Sequence, residues 1–185
     1  MSILLLAGSN SQQSINQSLA ATVAGMLPAM EHTLLSLRDF PLPMYSPDEE
    51  KEQGIPENVF RLKEILDSAS GLVVAVPEHN GSVPAFFKNT LDWISRAARN
   101  YRILSNKPVL LLSASPGGGG TIAITHAEVI LQRLGATITG KFTVSYFFQH
   151  AEIHQSAAVF KEPALQEQLA AAVAQFVDHL KMKTA

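Results

Sequence analysis

The stretch Pro77-Glu78-His79-Asn80-Gly81-Ser82-Val83-Pro84 crowds a carboxylate, an imidazole, an amide and a hydroxyl between two prolines. Residues of that kind, set in a turn-forming backbone, can line a ligand crevice through both side chains and freed main-chain groups. A second polar cluster, Gly8-Ser9-Asn10-Ser11-Gln12-Gln13-Ser14-Ile15-Asn16, leads into a helical pattern. A helix start offers unpaired N–H groups and a partial positive charge, which suits phosphate, and Ser9, Ser11, Ser14 and Asn16 add uncharged donors. The same residues also fit a plain N-cap, Ser14, behind a polar turn. The third cluster, Ser113 to Gly120, ends in four consecutive glycines. Missing Cβ atoms allow close approach of a flat ring or an anion. No lysine follows the glycines, so this is not a Walker loop, and it does not match GxGxxG.

Each cluster follows a short apolar run. Ile3–Ala7, Leu72–Val76 and Pro108–Leu112 read as strands buried on both faces; His32–Leu37 and Thr137–Val144 read as two more. Between them run helical patterns: Ile15, Leu19, Val23 and Met26/Leu27, ending at Pro28; Val59, Leu62, Leu66 and Ala69 behind Pro56; Pro84 to about Arg99; and Ile122 to Leu134, ending at Gly135. Leu165, Leu169, Val173, Phe176 and Leu180 stripe a last helix, and Arg38–Lys51, with three prolines, reads as a long loop. Strands alternating with helices imply a parallel sheet covered on both faces. Five such units in 185 residues suit one flavodoxin-like, doubly wound α/β domain over 1–185, strand order 2-1-3-4-5. In that arrangement the loops after strands one, three and four meet at the carboxyl edge, where ligands bind. Loops of this composition suggest a phosphorylated, planar ligand.

Composition removes other classes. There is no cysteine, which excludes disulfides, thiolate zinc sites and cysteine catalysis. Fourteen basic against sixteen acidic residues, with no basic block, give no reason to expect nucleic acid or a membrane surface. No run approaches a transmembrane span and the start lacks a signal-peptide pattern, so a cytoplasmic address is expected. His150 and His154 flank Glu152, but HAEIH is not HExxH; a surface turn is expected there, and no metal.

The central stretch, continuing through Phe87-Lys88-Asn89-Thr90-Leu91-Asp92-Trp93-Ile94-Ser95, resembles the P-E-Y-N-x-S-x-P-x-x-L-K-N-x-x-D-W-x-S signature of the NADPH-dependent FMN reductase family. The first cluster is similar to that family's G-S-x-R-x-x-S-x-N phosphate loop. Leu37-Arg38-Asp39-Phe40-Pro41-Leu42-Pro43 is similar to its L-R-D-x-P-L-P run, and Ser115-Pro116-Gly117 to its third flavin-contacting loop. The resemblance implies an NAD(P)H-dependent oxidoreductase with FMN as cofactor and NADPH or NADH as co-substrate. Hydride would pass from the nicotinamide to flavin N5, and electrons then to a small acceptor such as a flavin, quinone, azo compound or metal oxyanion. It implies a homodimer or homotetramer, with the loop around Tyr45 and the helix carrying Trp93 as candidate contact surfaces. It also implies FMN contacts at Ser9, Ser11, Ser14, Ile15, Asn16, Pro77, Glu78, His79, Asn80, Gly81, Ser115, Pro116, Gly117 and Gly118. No catalytic side chain is implied, because the cofactor carries the chemistry. A flavodoxin-like electron carrier and a flavin-less binding or regulatory domain are the alternatives.

Three departures stand out: Ser11 in place of the family's arginine, His79 in place of tyrosine, and Phe87 in place of leucine. Losing a charge-assisted phosphate contact costs about 1.5–3 kcal/mol, so weaker FMN binding is expected. His79 either stacks beside the flavin, making affinity pH-dependent, or fills the tyrosine's space. Glu78 and Asn80 have turn chemistry as their other reading. Lys88, Asn89, Asp92 and Trp93 read as structural. Arg96, Arg99 and Arg102 read either as ligands of the NADPH 2′-phosphate or as a solvated helix end.

Overall fold

The structure, a computed structural model, describes residues 2–182. Five parallel strands, β1 (Ser2–Ala7), β2 (Glu31–Ser36), β3 (Gly71–Ala75), β4 (Pro108–Ala114) and β5 (Thr137–Val144), form one sheet in the order 2-1-3-4-5. That is the expected flavodoxin-like arrangement. Successive residues of a strand point to opposite faces, and here both faces are covered. Leu4, Leu6, Leu72, Val74, Val109 and Leu111 pack under α3 (Glu57–Ser68), α4 (Ala85–Ala97) and α5 (Thr121–Arg133). Ile3, Leu5, Val73, Ala75, Leu110 and Leu112 pack under α1 (Ile15–Met26) and α7 (Pro163–Met182). This double burial is why β1, β3 and β4 read as unbroken apolar runs. β2 is an edge strand, and most of it is exposed.

Two segments differ from the sequence reading. The stretch expected as a loop over Arg38–Lys51 contains a 3₁₀ turn at Leu37–Asp39 and a helix, α2 (Pro47–Gln53). Ser46 caps α2 by accepting from Glu49 N at 3.0 Å, Pro47 stands in its first turn, and Asp48, Glu49 and Glu50 complement its dipole. The turn expected around His150 is a short helix, α6 (Phe147–His150), followed by a hairpin of β6 (Ala151–His154) and β7 (Ala157–Phe160). His154 pairs with Glu152 at 2.8 Å and His150 with Glu162 at 3.1 Å. Thr22 on α1 holds this hairpin by donating to Ala158 O and accepting from Ala158 N, both at 2.8 Å.

The Pro-rich segment before α2 is pinned to α4. Asn89 Oδ1 accepts from Tyr45 N at 2.8 Å, while Asn89 Nδ2 and Trp93 Nε1 both donate to Pro43 O, at 2.9 and 2.8 Å. Trp93 is fully buried, with Tyr45 edge-on to its ring at 5.0 Å, so it packs the interior and offers no subunit contact. Among the described residues, no helix is long and apolar enough to cross a membrane.

Candidate active site

A cleft of about 400 Å³ opens at the carboxyl edge of the sheet. Ser9, Ser11, Ser14, Ile15 and Asn16 from the loop after β1, Pro77, Glu78 and His79 from the loop after β3, and Ser115 and Pro116 from the loop after β4 line it. Gln13, Ala114 and Phe148 complete the wall. Of the residues expected there, Asn80, Gly81, Gly117 and Gly118 lie outside the lining.

At the β1 end the hydroxyls act first on their own loop. Ser9 Oγ accepts from Ser11 N and Ser11 Oγ from Gln13 N, each at 3.2 Å, and Ser14 Oγ caps α1 by accepting from Gln17 N at 3.2 Å. A hydroxyl that accepts from the backbone still has its own O–H to donate. Three such donors stand beside the first N–H groups of α1, which like those of any helix lack intrahelical acceptors. Asn16, expected as a donor to the ligand, also has a structural partner. It is buried, and its amide exchanges two hydrogen bonds with Ala114, giving at 2.8 Å to O and accepting at 2.9 Å from N. It therefore ties the start of α1 to the end of β4 and sets the distance between the first and third loops.

In the β3 loop, Asn80 and Gly81 both have positive φ, 51° and 72°, and His79 and Ser82 exchange backbone hydrogen bonds of 2.9 and 3.1 Å. This is the tight turn that Asn-Gly favours, because both central positions need left-handed backbone. Asn80 and Gly81 thus shape the turn, which leaves His79 on the cleft. Ser82 Oγ shares a hydrogen bond of 3.0 Å with His126 Nδ1 on α5, joining the turn to the next helix. Glu78 faces that helix too. Its Oε2 accepts from Gly120 N, Ile122 N and Ala123 N at 2.8, 3.1 and 3.2 Å, capping α5, whose N-cap residue Gly120 has no side chain to do so. A side chain at Gly119 would place its Cβ 2.9 Å from Glu78 Oε1, so the glycines make room for this clamp.

The glycine run is also held from β5. Ser115 N donates to Val144 O at 3.0 Å, Tyr146 N to Gly117 O at 2.7 Å and Phe147 N to Ser115 O at 2.8 Å, while Ser145 Oγ donates to Gly119 O at 2.9 Å. Tyr146 adopts left-handed backbone, φ 50°, to make this corner, and Phe148 follows it into the cleft wall. Sequence reading missed Phe148: the corner meets the glycine loop only through contacts some thirty positions apart, and no local motif marks it.

The arginines lie apart from the cleft. Arg96 and Arg99 pair with Glu50, with contacts of 2.7 and 3.1 Å, while their side chains stay 45% and 65% exposed. Arg96 beside it, chiefly by hydrogen bonding, lowers the carboxyl pKa of Glu50. Arg102 lines a separate groove between α4 and α5. Among the described residues, no group of three or more His, Cys, Asp or Glu side chains could hold a metal.

A doubly wound sheet in the order 2-1-3-4-5, with a cleft lined by hydroxyls and backbone at the carboxyl edge of its crevice, defines a flavodoxin-like fold. The pattern of the NADPH-dependent FMN reductase family matches residues 1–150, and the chain belongs to that family. It is an NAD(P)H-dependent flavin oxidoreductase with FMN as cofactor. It is 38% identical over 144 residues to a quinone reductase of Escherichia coli K12, covering 76% of this chain and 74% of that one. It is 32% identical over 127 residues to a 2-hydroxy-1,4-benzoquinone reductase of a Burkholderia species, covering 68% and 67%. Among solved structures, the flavoenzyme NAD(P)H:(acceptor) oxidoreductase FerB of Paracoccus denitrificans superimposes with a TM-score of 0.77 at 24% identity, over 98% of this chain and 97% of that one. That likeness is one of fold.

Proposed function

We propose that this chain passes electrons from NAD(P)H to a small quinone-type acceptor, with FMN seated in the cleft of the β1, β3 and β4 loops. The convergence of those three loops on one cleft, with hydroxyl donors at one end and a Pro77–His79 and Ser115–Pro116 slot at the other, is the observation that carries the reading. Ser9, Ser11 and Ser14 and the first N–H groups of α1 would take the phosphate, as neutral donors do at helix starts. Pro77, Glu78 and His79 would meet the ring edge mainly through the backbone, since the Glu78 carboxylate is engaged by α5. Asn16 and Glu78 hold the walls at fixed spacing, so ligand binding need not first order the loops. FMN supplies the two-electron chemistry; the chain binds it, orients it and leaves one side of the cleft open to the nicotinamide and the acceptor in turn. The quinone class is supported by the relatives named above.

The test is anaerobic. With FMN added, NADPH or NADH should bleach the flavin absorbance at catalytic rates, and 1,4-benzoquinone should restore it. FMN binding without bleaching would instead make the chain an electron carrier. Comparing kcat/KM for benzoquinone, free flavin, an azo dye and a metal oxyanion ranks the acceptors.

We also infer a homo-oligomer. The groove between α4 and α5, about 620 Å³, sets exposed Val129 (64%) and half-buried Ile130 and Leu134 among charged Lys88, Asp92, Arg102 and Arg133. An exposed apolar residue ringed by charge is the make-up of a polar-rimmed subunit contact. Light scattering that reports a monomer across concentrations would exclude it.

A further inference from the structure

A phosphate is ionised, so hydrogen bonds to it from Ser9, Ser11, Ser14 and the first N–H groups of α1 are charge-assisted, with the charge on the ligand's side alone. Among the described residues that line the cleft there is no lysine or arginine. A cation stands just outside it. α7 runs against the strand direction, since Leu180 near its end meets Gly71 at the start of β3. Its beginning, and with it Lys161 two residues earlier, therefore lies at the carboxyl edge, level with the cleft. Lys161 N donates to His150 O at 2.8 Å, closing the base of the hairpin that Thr22 ties to α1. Lys161 Nζ donates to Phe148 O at 2.9 Å, and Phe148 is part of the cleft wall, with Ser14 and Ile15. One residue thus separates the ammonium from the cleft. Lys161 is exposed, and an ammonium carries three donors, of which this bond uses one. The carboxylates near it have other partners: Glu162 pairs with His150, and Glu152 with His154. The carboxyl pKa of Glu152 is lowered most by the hydrogen bond from His154 and least by the charge of Lys161.

We propose that Lys161 is a phosphate-binding residue, whose ammonium supplies the FMN 5′-phosphate with the cation that the loop after β1, with Ser11 at the position of the family's arginine, does not. Lys161 lies beyond residues 1–150, the span that the family pattern matches, so the contact belongs to this chain's hairpin and not to that pattern. The flexible four-carbon stem lets the ammonium turn toward the start of α1, while the hairpin keeps the backbone of Lys161 in place. The inference rests on the flavin site of the preceding subsection.

Fluorescence-quenching titrations of the full chain, freed of flavin, with FMN and with riboflavin at low and high salt provide the test. Lys161→Gln, which keeps a donor for Phe148 O without the charge, should weaken FMN by roughly three- to tenfold at low salt and leave riboflavin unchanged. The wild-type FMN dissociation constant should rise with salt, and that rise should shrink in Lys161→Gln. Lys161→Arg, which keeps the charge, should bind FMN within about twofold of the wild type. FMN binding by Lys161→Gln that equals the wild type's at low salt overturns the inference. So does an equal loss for FMN and riboflavin, which would make Lys161 a support for the Phe148 wall and no ligand of the phosphate. If both forms bind FMN alike and NAD(P)H still bleaches it, the proposed function stands and this inference falls. If the wild type binds neither flavin, both fall.

Discussion

Glu78→Ala is the sharpest probe of how the crevice is held. The substitution leaves Gly120 N, Ile122 N and Ala123 N, now 2.8, 3.1 and 3.2 Å from one carboxylate oxygen, without that acceptor. Gly120 and Ala123 are buried, so water cannot readily replace it for both. Losing the cap of a helix costs about 1 kcal/mol, losing a negative charge at its start about 0.5–1 kcal/mol, and stranding a buried donor about 1 kcal/mol more. The sum, about 2.5–3 kcal/mol, should lower Tm by roughly 5–10 °C for a domain of this size. Glu78→Gln keeps an acceptor oxygen without the charge and should cost about 1 kcal/mol. Urea unfolding of the full chain measures both, and an unchanged m-value would locate the effect in stability rather than in the compactness of either state. FMN affinity should fall in the same order, because the clamp joins the β3 loop to the glycine loop. A loss below about 0.5 kcal/mol for the alanine variant would show that α5 needs no cap from the β3 loop, and the account of the clamp would be wrong.

Asn16→Ala should cost about 2 kcal/mol in urea unfolding, since both bonds to Ala114 go; Asn16→Asp should do no better, because it sets an acceptor against Ala114 O. Gly8→Ala would place a Cβ 2.7 Å from Phe87 Cγ and should cost about 1–3 kcal/mol. Phe87→Leu in the same chain should recover part of that loss, measurable as coupling in a double-mutant cycle. Glu50 has a folded-state pKa below its ordinary 4.5, through the hydrogen bond and charge of Arg96 and the charge of Arg99. Its stabilising contribution is therefore complete above that ordinary value and disappears as pH falls through the lower, folded one. Glu50→Gln should flatten the acid limb of a stability-against-pH curve and leave its neutral region sloping as before.

The strands, the helices and the three crevice loops were legible because they depend on local patterns: apolar runs buried on two faces, helical spacing, and polar turns between them; the strand order came only from the fold class that five such units suit, since no residue fixes it. Asn80-Gly81 is legible for the same reason, since that pair carries its own backbone preference. α2 could also have been read, from Ser46, Pro47 and the acidic residues after them; the prolines upstream drew attention to the loop and away from the cap. The hairpin after β5 gave less signal. Its turn places Gln155 and Ser156 at positive φ, 47° and 71°, where glycine or asparagine would have announced it. Glu78 was hidden for a different reason. Its partners lie more than forty positions away on α5, so the residue reads as part of a turn until the sheet brings the two loops together. Phe148 and the Tyr146 corner share that non-local character, as do Arg96 and Arg99 with Glu50.

The amide bridge between Asn16 and Ala114 spans 98 positions, and the Thr22 hydroxyl that holds the hairpin reaches 136. During synthesis the β1 end of the cleft emerges first but cannot be set until β4 follows it. At typical translation rates that is a wait of roughly 5–20 s. Contacts of such long sequence separation also slow the search for the native state. The loop after β1 is thus among the first parts to emerge yet waits for β4 to be fixed, and nascent chains ending before β4 should hold no flavin at all.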